Sequence, residues 1–137
     1  MKSVLTKRKE RAQKVFNEWV RLKSCLETTG WPFSCICFTC QREVNNSKGE
    51  LHASHYLLDS KNGNATSFDE INVQACCRYC NRYLHGNLGK FAVNLIKKYG
   101  QDEIDRLERL KLKSKKWTIM ELDDIHDKYK KKIKDLL

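Results

Sequence analysis

Two cysteine pairs, Cys37-x2-Cys40 and Cys77-x2-Cys80, stand on either side of 36 residues that carry His52 and His55. At this spacing two thiolates of one backbone knuckle reach a single ion, and two such pairs close a tetrahedral site of the structural zinc kind. The segment between them becomes a loop pinned at its base. Cys35 and Cys76 leave wider registers open, Cys35 with Cys40 or Cys76 with Cys80, but the x2 pairs are the expected ligands of a structural Zn²⁺. Cys25 reads as a buried apolar residue in the first helix. A platform built only of zinc and cysteine has no use for histidines in "LHASHYLLD", residues 51–59. A neutral imidazole can accept a proton near pH 7, so these histidines are the candidate chemical groups of the stretch.

The elements that must position these groups follow from the spacing of apolar residues. "LHASHYLL" predicts a strand, "DSKNGNATSFDE" a long loop and "INVQAC" a second short strand. From about Asn81 the pattern turns helical through Leu88, Phe91, Ala92, Leu95, Ile96 and Tyr99, and Gly100 stops it. Before this core, Ala12, Val15, Phe16, Trp19, Leu22 and Leu26 mark an amphipathic helix that ends near "TTGWP". After it, Thr118 and Glu121 form a capping box, with Trp117 and Leu122 as its staple. Leu122, Ile125, Tyr129, Ile133 and Leu136 then make the stripe of a closing helix, on which His126 reads as a surface residue. The expected class is α+β and mostly helical. One domain spans 1–137: a basic helix over 1–29, a zinc-bound core over 33–100 and C-terminal helices over 101–137.

The chain has 137 residues and a net charge of +10, from 27 Lys/Arg against 17 Asp/Glu. Residues 1–23 alone carry eight Lys/Arg against two Glu, a net of +6. Such a balance favours a polyanionic partner. That partner is nucleic acid or an anionic membrane surface; no apolar run approaches the roughly 20 residues that span a bilayer and the N-terminus has no secretory apolar segment, so no membrane-spanning part is expected. Seven cysteines, an odd number and without a signal sequence, argue for a reducing, cytoplasmic compartment.

The ordered set Cys37-x2-Cys40, "SHY", "DEINV" and Cys77-x2-Cys80-Asn81 resembles the ββα-metal (HNH) nucleases, and its spacing resembles the endonuclease VII-type junction resolvases. Over roughly residues 30–137 the chain is similar to the NinG/Rap recombination protein family of lambdoid phages, down to "CNRYLHGN" and the tail "WTIMELDDIHDKYKKKIKDLL". That resemblance implies a zinc-stapled ββα-metal core and a metal-dependent endonuclease of branched recombination intermediates, Holliday junctions and D-loops, in the host-cell cytoplasm. By the same resemblance His55 is the general base, Asn72 shapes the loop behind it, and Asn81 is a ligand of a catalytic Mg²⁺ or Mn²⁺. Arg78, Arg82 and Lys90 are expected to contact DNA. Paired incisions on a two-fold junction would suit a homodimer joined through the terminal helices, and other phage recombination proteins would be natural partners.

One position departs from the HNH pattern: Ser54 stands where many of these enzymes have an aspartate ligand. Three substitutes are in view. His85, four residues after Asn81, would lie on the same helical face, and His52 or Asp59 could approach from the strand; His85 is the favoured one, with His52 otherwise a bystander. Ser54 also keeps a second reading open, a zinc-stapled module that binds branched DNA without cutting it. A zinc ribbon that binds RNA or protein is a third reading, and it leaves His55, Asn72 and Asn81 without a purpose.

Overall fold

The computed structural model describes residues 1–57 and 65–137; Asp59 lies outside the described residues. Helix α1 (Val4–Thr29) starts where the Ser3 hydroxyl accepts from the Thr6 amide, 3.1 Å away. It ends at Gly30, whose φ of 73° is the left-handed cap position that suits glycine. At the other end of the chain, α4 (Ile119–Leu136) starts with the complete Thr118/Glu121 capping box.

These terminal helices pack on each other. Phe16 meets Tyr129 edge to face at 4.7 Å, and Trp19 lies 5.0 Å from the same ring. Arg8 and Arg11 both reach Asp123, so part of the basic face of α1 holds α4 in place. The apolar stripes of α1 and α4 face each other inside the chain. One expectation changes as a result. His126 is 8% exposed rather than on the surface, because it lies on the inner side of α4 one turn from Leu122; its Nδ1 contacts Asp127 at 2.9 Å.

Between the helices lie two antiparallel pairs. Strands β1 (Ser34–Ile36) and β2 (Glu43–Asn45) flank the first cysteine knuckle. Strands β3 (Leu51–His55) and β4 (Val73–Cys77) are the predicted pair, in register Leu51 with Cys77 through His55 with Val73. β4 is buried at every residue, under α1 on one side and the cysteine cluster on the other.

The helix expected from Asn81 does not begin there. A single π-helical turn, Tyr79–Tyr83, follows β4, and the backbone then reverses through positive φ at His85 (50°), Gly86 (89°) and Asn87 (48°). Regular helix resumes as α2 (Leu88–Tyr99), followed across Gly100 by α3 (Gln101–Lys111). Helical periodicity loses here to the knuckle. The Cys80 amide donates to the Cys77 sulfur at 3.4 Å, and the Gly86 amide bonds the Cys80 carbonyl at 2.9 Å. The idea that Asn81 and His85 share one α-helical face is therefore corrected: His85 is an exposed residue beyond the turn.

Asp69 fastens α3 to the segment before β4. It accepts from the Ile71 and Asn72 amides, both at 3.0 Å, and from two Arg106 nitrogens at 2.8 and 3.1 Å. Burial alone would raise its pKa, but Arg106 and the two amides outweigh it and hold the carboxyl below its usual value. Its contribution is complete above the unfolded aspartate pKa of about 3.9 and is lost as pH falls through the lower folded value. Urea denaturation below pH 4 is accordingly expected to show a stability slope that Asp69→Asn reduces, at the cost of lower stability at pH 7. No described helix is long and apolar enough to cross a membrane.

Candidate functional site

The four cysteines of the x2 pairs converge: their sulfurs lie within 4.8 Å of one another, with Cys40 and Cys77 at 3.7 Å. A tetrahedron of Zn–S bonds of ~2.3 Å has sulfur–sulfur edges of about 3.8 Å, so the set fits a dication such as zinc. The knuckles are formed before any ion is considered. Cys37 Sγ accepts from the Cys40 amide at 3.5 Å and from the Cys77 amide at 3.2 Å. A hydrogen bond with Cys76 and these amides bring the Cys37 thiol down to about 4, whereas burial pushes Cys80 up to about 12. Cys35 and Cys76 lie outside the cluster, which resolves the register. Asn94, which sequence reasoning missed, donates from α2 to the Phe38 and Thr39 carbonyls at 2.8 and 3.0 Å and braces the first knuckle.

Next to this cluster, Asn81 is held by β3. Ser54 Oγ donates to Asn81 Oδ1 at 2.8 Å, and Asn81 Nδ2 lies 2.8 Å from His52 Nδ1. His52 Nε2 is 2.8 Å from the Gly49 carbonyl, which only accepts, so Nε2 carries the proton and Nδ1 accepts from Asn81. Ser54, 2% exposed, also touches Cys76, which bonds Cys37. A continuous polar chain thus runs from a cluster sulfur through Cys76, Ser54 and Asn81 to His52. His52 is no bystander. Its link to Asn81 depends on the strand register, which no local motif encodes.

His55 lies elsewhere. Strand alternation puts His52 and Ser54 on one face of β3 and His55 on the other. Its Nε2 is 3.1 Å from the Ser67 carbonyl, which only accepts, so Nε2 carries a proton. Asn72 is fully buried and clamps the loop from both ends: its Oδ1 accepts from the Leu57 amide at 2.8 Å, and its Nδ2 donates to the Leu57 and Thr66 carbonyls, both at 3.1 Å. Arg78, Arg82 and Lys90 are exposed.

Sequence reasoning also missed an aromatic pair on the π-turn. Tyr79 and Tyr83 are exposed with ring centroids 5.7 Å apart, and Arg42 lies 5.5 Å over Tyr79. Exposed rings among arginines suit stacking on bases.

Fold and cluster together define a cysteine-stapled α+β protein with a strand–strand–helix core. The family model for Bacteriophage Lambda NinG protein matches residues 2–137, and the chain belongs to that family. It is 39% identical over 69 residues to protein ninG of Escherichia phage 933W, covering 50% of this chain and 34% of the relative. With protein ninG of Escherichia phage lambda the identity is 38% over 69 residues, covering 50% and 33%; with that of Salmonella phage P22 it is 38% over the same length, covering 50% and 34%. The match thus spans about a third of the length of these relatives. No solved structure matches the chain.

Proposed function

We propose that this protein is a metal-dependent endonuclease of branched DNA, cutting recombination intermediates such as Holliday junctions and D-loops in the cytoplasm of the phage's host. The observation that carries the reading is Asn81, an amide oxygen locked by Ser54 and His52 on a cysteine-stapled strand–strand–helix unit. A purely structural zinc ribbon needs no such lock. The net charge of +10 and the exposed Arg78, Arg82 and Lys90 supply attraction for phosphates.

Each residue has a distinct task in this reading. The imidazole of His55 takes a proton from water as the oxygen attacks phosphorus, the phosphorus–O3′ bond breaks, and a solvent proton completes the 3′-hydroxyl. Asn72 is a positioning residue that shapes the loop carrying Ser67, and hence the tautomer of His55. Asn81 retains a free lone pair on Oδ1 for a Mg²⁺ or Mn²⁺ ion, which when bound would neutralise charge on the phosphate and leaving oxygen. Amide, hydroxyl and imidazole are weak donors for Mg²⁺ without a carboxylate, so the substrate's phosphate must supply the anionic ligands. The protein alone is accordingly expected to bind Mg²⁺ only weakly. His85→Ala is expected to cleave like wild type, because His85 does not share a helical face with Asn81.

The absence of a carboxylate at Ser54 favours one rival, a binder without catalysis. Cleavage of labelled four-way junction, duplex and single-stranded DNA, with and without Mg²⁺ or Mn²⁺, separates the two. Metal-dependent nicking of the junction above the linear forms supports the enzyme; tight junction binding without nicking supports the binder.

A further inference from the structure

A polar cavity of about 520 Å³ opens beside the locked asparagine, and His52 and Asn81 form part of its wall. The opposite wall comes from α1, which contributes Asn17 and Arg21, and Lys48 lies at the rim in the turn before β3. Arg21 is half-buried, yet no hydrogen bond or ion pair engages its guanidinium among the described residues. Burial lowers its pKa against the raising influence of Glu18, three residues earlier on α1, which forms no ion pair with it. The other α1 arginines differ: Arg8 and Arg11 are engaged with Asp123. A guanidinium removed from water without a partner is costly unless a ligand satisfies it. Its planar fork matches two oxygens of one phosphate. Of the other lining groups, the Asn17 side-chain NH₂ and the Lys48 ammonium can donate to an anion, none is a carboxylate, and Glu18, outside the lining, is the nearby carboxylate.

We infer that this cavity is a binding pocket for one backbone phosphate of the substrate, with Arg21 as its principal ligand and Lys48 as a second cation. The inference rests on the proposed nuclease reading for the identity of the substrate, DNA; the anion site stands on its own geometry. It assigns α1 a positioning role in which one phosphodiester is fixed against Asn81, beyond general attraction to DNA. The exposed Arg78 and Arg82 would then hold neighbouring phosphates more loosely.

Two measurements test it. Inorganic phosphate titrated into the ¹⁵N-labelled protein should selectively shift the Arg21 side-chain Nε–H signal and the His52 ring signals, and leave those of Arg78 and Arg82 nearly unmoved. Junction affinity measured against KCl, without added divalent ion, should fall about tenfold in Arg21→Gln, and the log–log salt slope should drop by about 0.9, the share of one phosphate contact. Arg21→Lys should recover part of the affinity; it also serves as the test variant if Arg21→Gln loses its zinc or its melting transition. Phosphate that moves nothing in the cavity, or moves Arg78 and Arg82 equally, overturns the pocket whatever DNA does. So does a folded Arg21→Gln with wild-type affinity and slope. Selective phosphate binding by a protein that takes up no DNA leaves the pocket standing and removes the nuclease reading instead.

Discussion

Cys40→Ser and Cys80→Ser are each expected to lose zinc and the cooperative thermal transition, with about one zinc per chain expected in wild type. The four sulfurs join the β1–β2 knuckle to the end of β4 and the π-turn. Cys37, Cys76, Cys77 and Cys80 are themselves part of the second core, with Phe91, Leu95 and Ile104. Removing one ligand both opens that core and weakens the ion, and structural zinc contributes on the order of 10–16 kcal/mol in small domains. Cys25→Ala is the control. Its thiol is buried away from the cluster, so the variant keeps zinc and a single transition at somewhat lower temperature. Elemental analysis with a melting curve reads the outcome; stoichiometric zinc in both serine variants would defeat the cluster as a metal centre.

His55→Ala is expected to lower junction cleavage by at least about 10²-fold, the usual scale of a general base, with zinc content, fold and junction affinity unchanged. The ring lies on the face of β3 opposite His52 and Ser54, with Nε2 on the Ser67 carbonyl. Asn81→Ala differs in kind. It weakens hold on the ion and frees Ser54 and His52, so activity falls and partly returns at high Mn²⁺, while His55→Ala is not rescued by any metal concentration. His52→Ala divides the roles of the two histidines: if His52 only holds Asn81, its loss gives a milder form of the Asn81→Ala metal dependence. If His52→Ala instead loses activity without metal rescue and His55→Ala keeps it, the base is on the other face of β3. Both profiles come from one nicking assay across a Mn²⁺ titration.

The parts of this site that the sequence made legible are those fixed by short-range spacing. The x2 interval selects which cysteines share an ion, because a knuckle is a local backbone shape. Gly30 and Gly100 mark helix ends for the same reason, and the Thr118/Glu121 box lies within one turn. What stayed hidden depends on contacts between segments distant in sequence. The apolar spacing after Asn81 looks helical, but amide–sulfur bonds wind that stretch into a π-turn and place His85 beyond it. The lock on Asn81 requires the register that sets His52 opposite Cys76, which the alternation within β3 leaves unspecified. Arg21 is one of many charges on a basic helix, and only the packing of α1 beside β3 turns it toward a cavity rather than solvent. His126 misled for the opposite reason: a polar type suggested exposure, and the stripe of α4 buried it.

The nuclease reading requires the wild-type protein itself to cut branched DNA with a divalent ion. Its most direct test is single-turnover incubation of the wild-type zinc-loaded protein with an end-labelled four-way junction, Mn²⁺ being added to start the reaction. Nicks near the branch point are expected that leave 3′-hydroxyl ends, form in Mn²⁺ or Mg²⁺ and vanish without divalent ion. Junction DNA that is bound at nanomolar protein yet stays intact in both metals would contradict it.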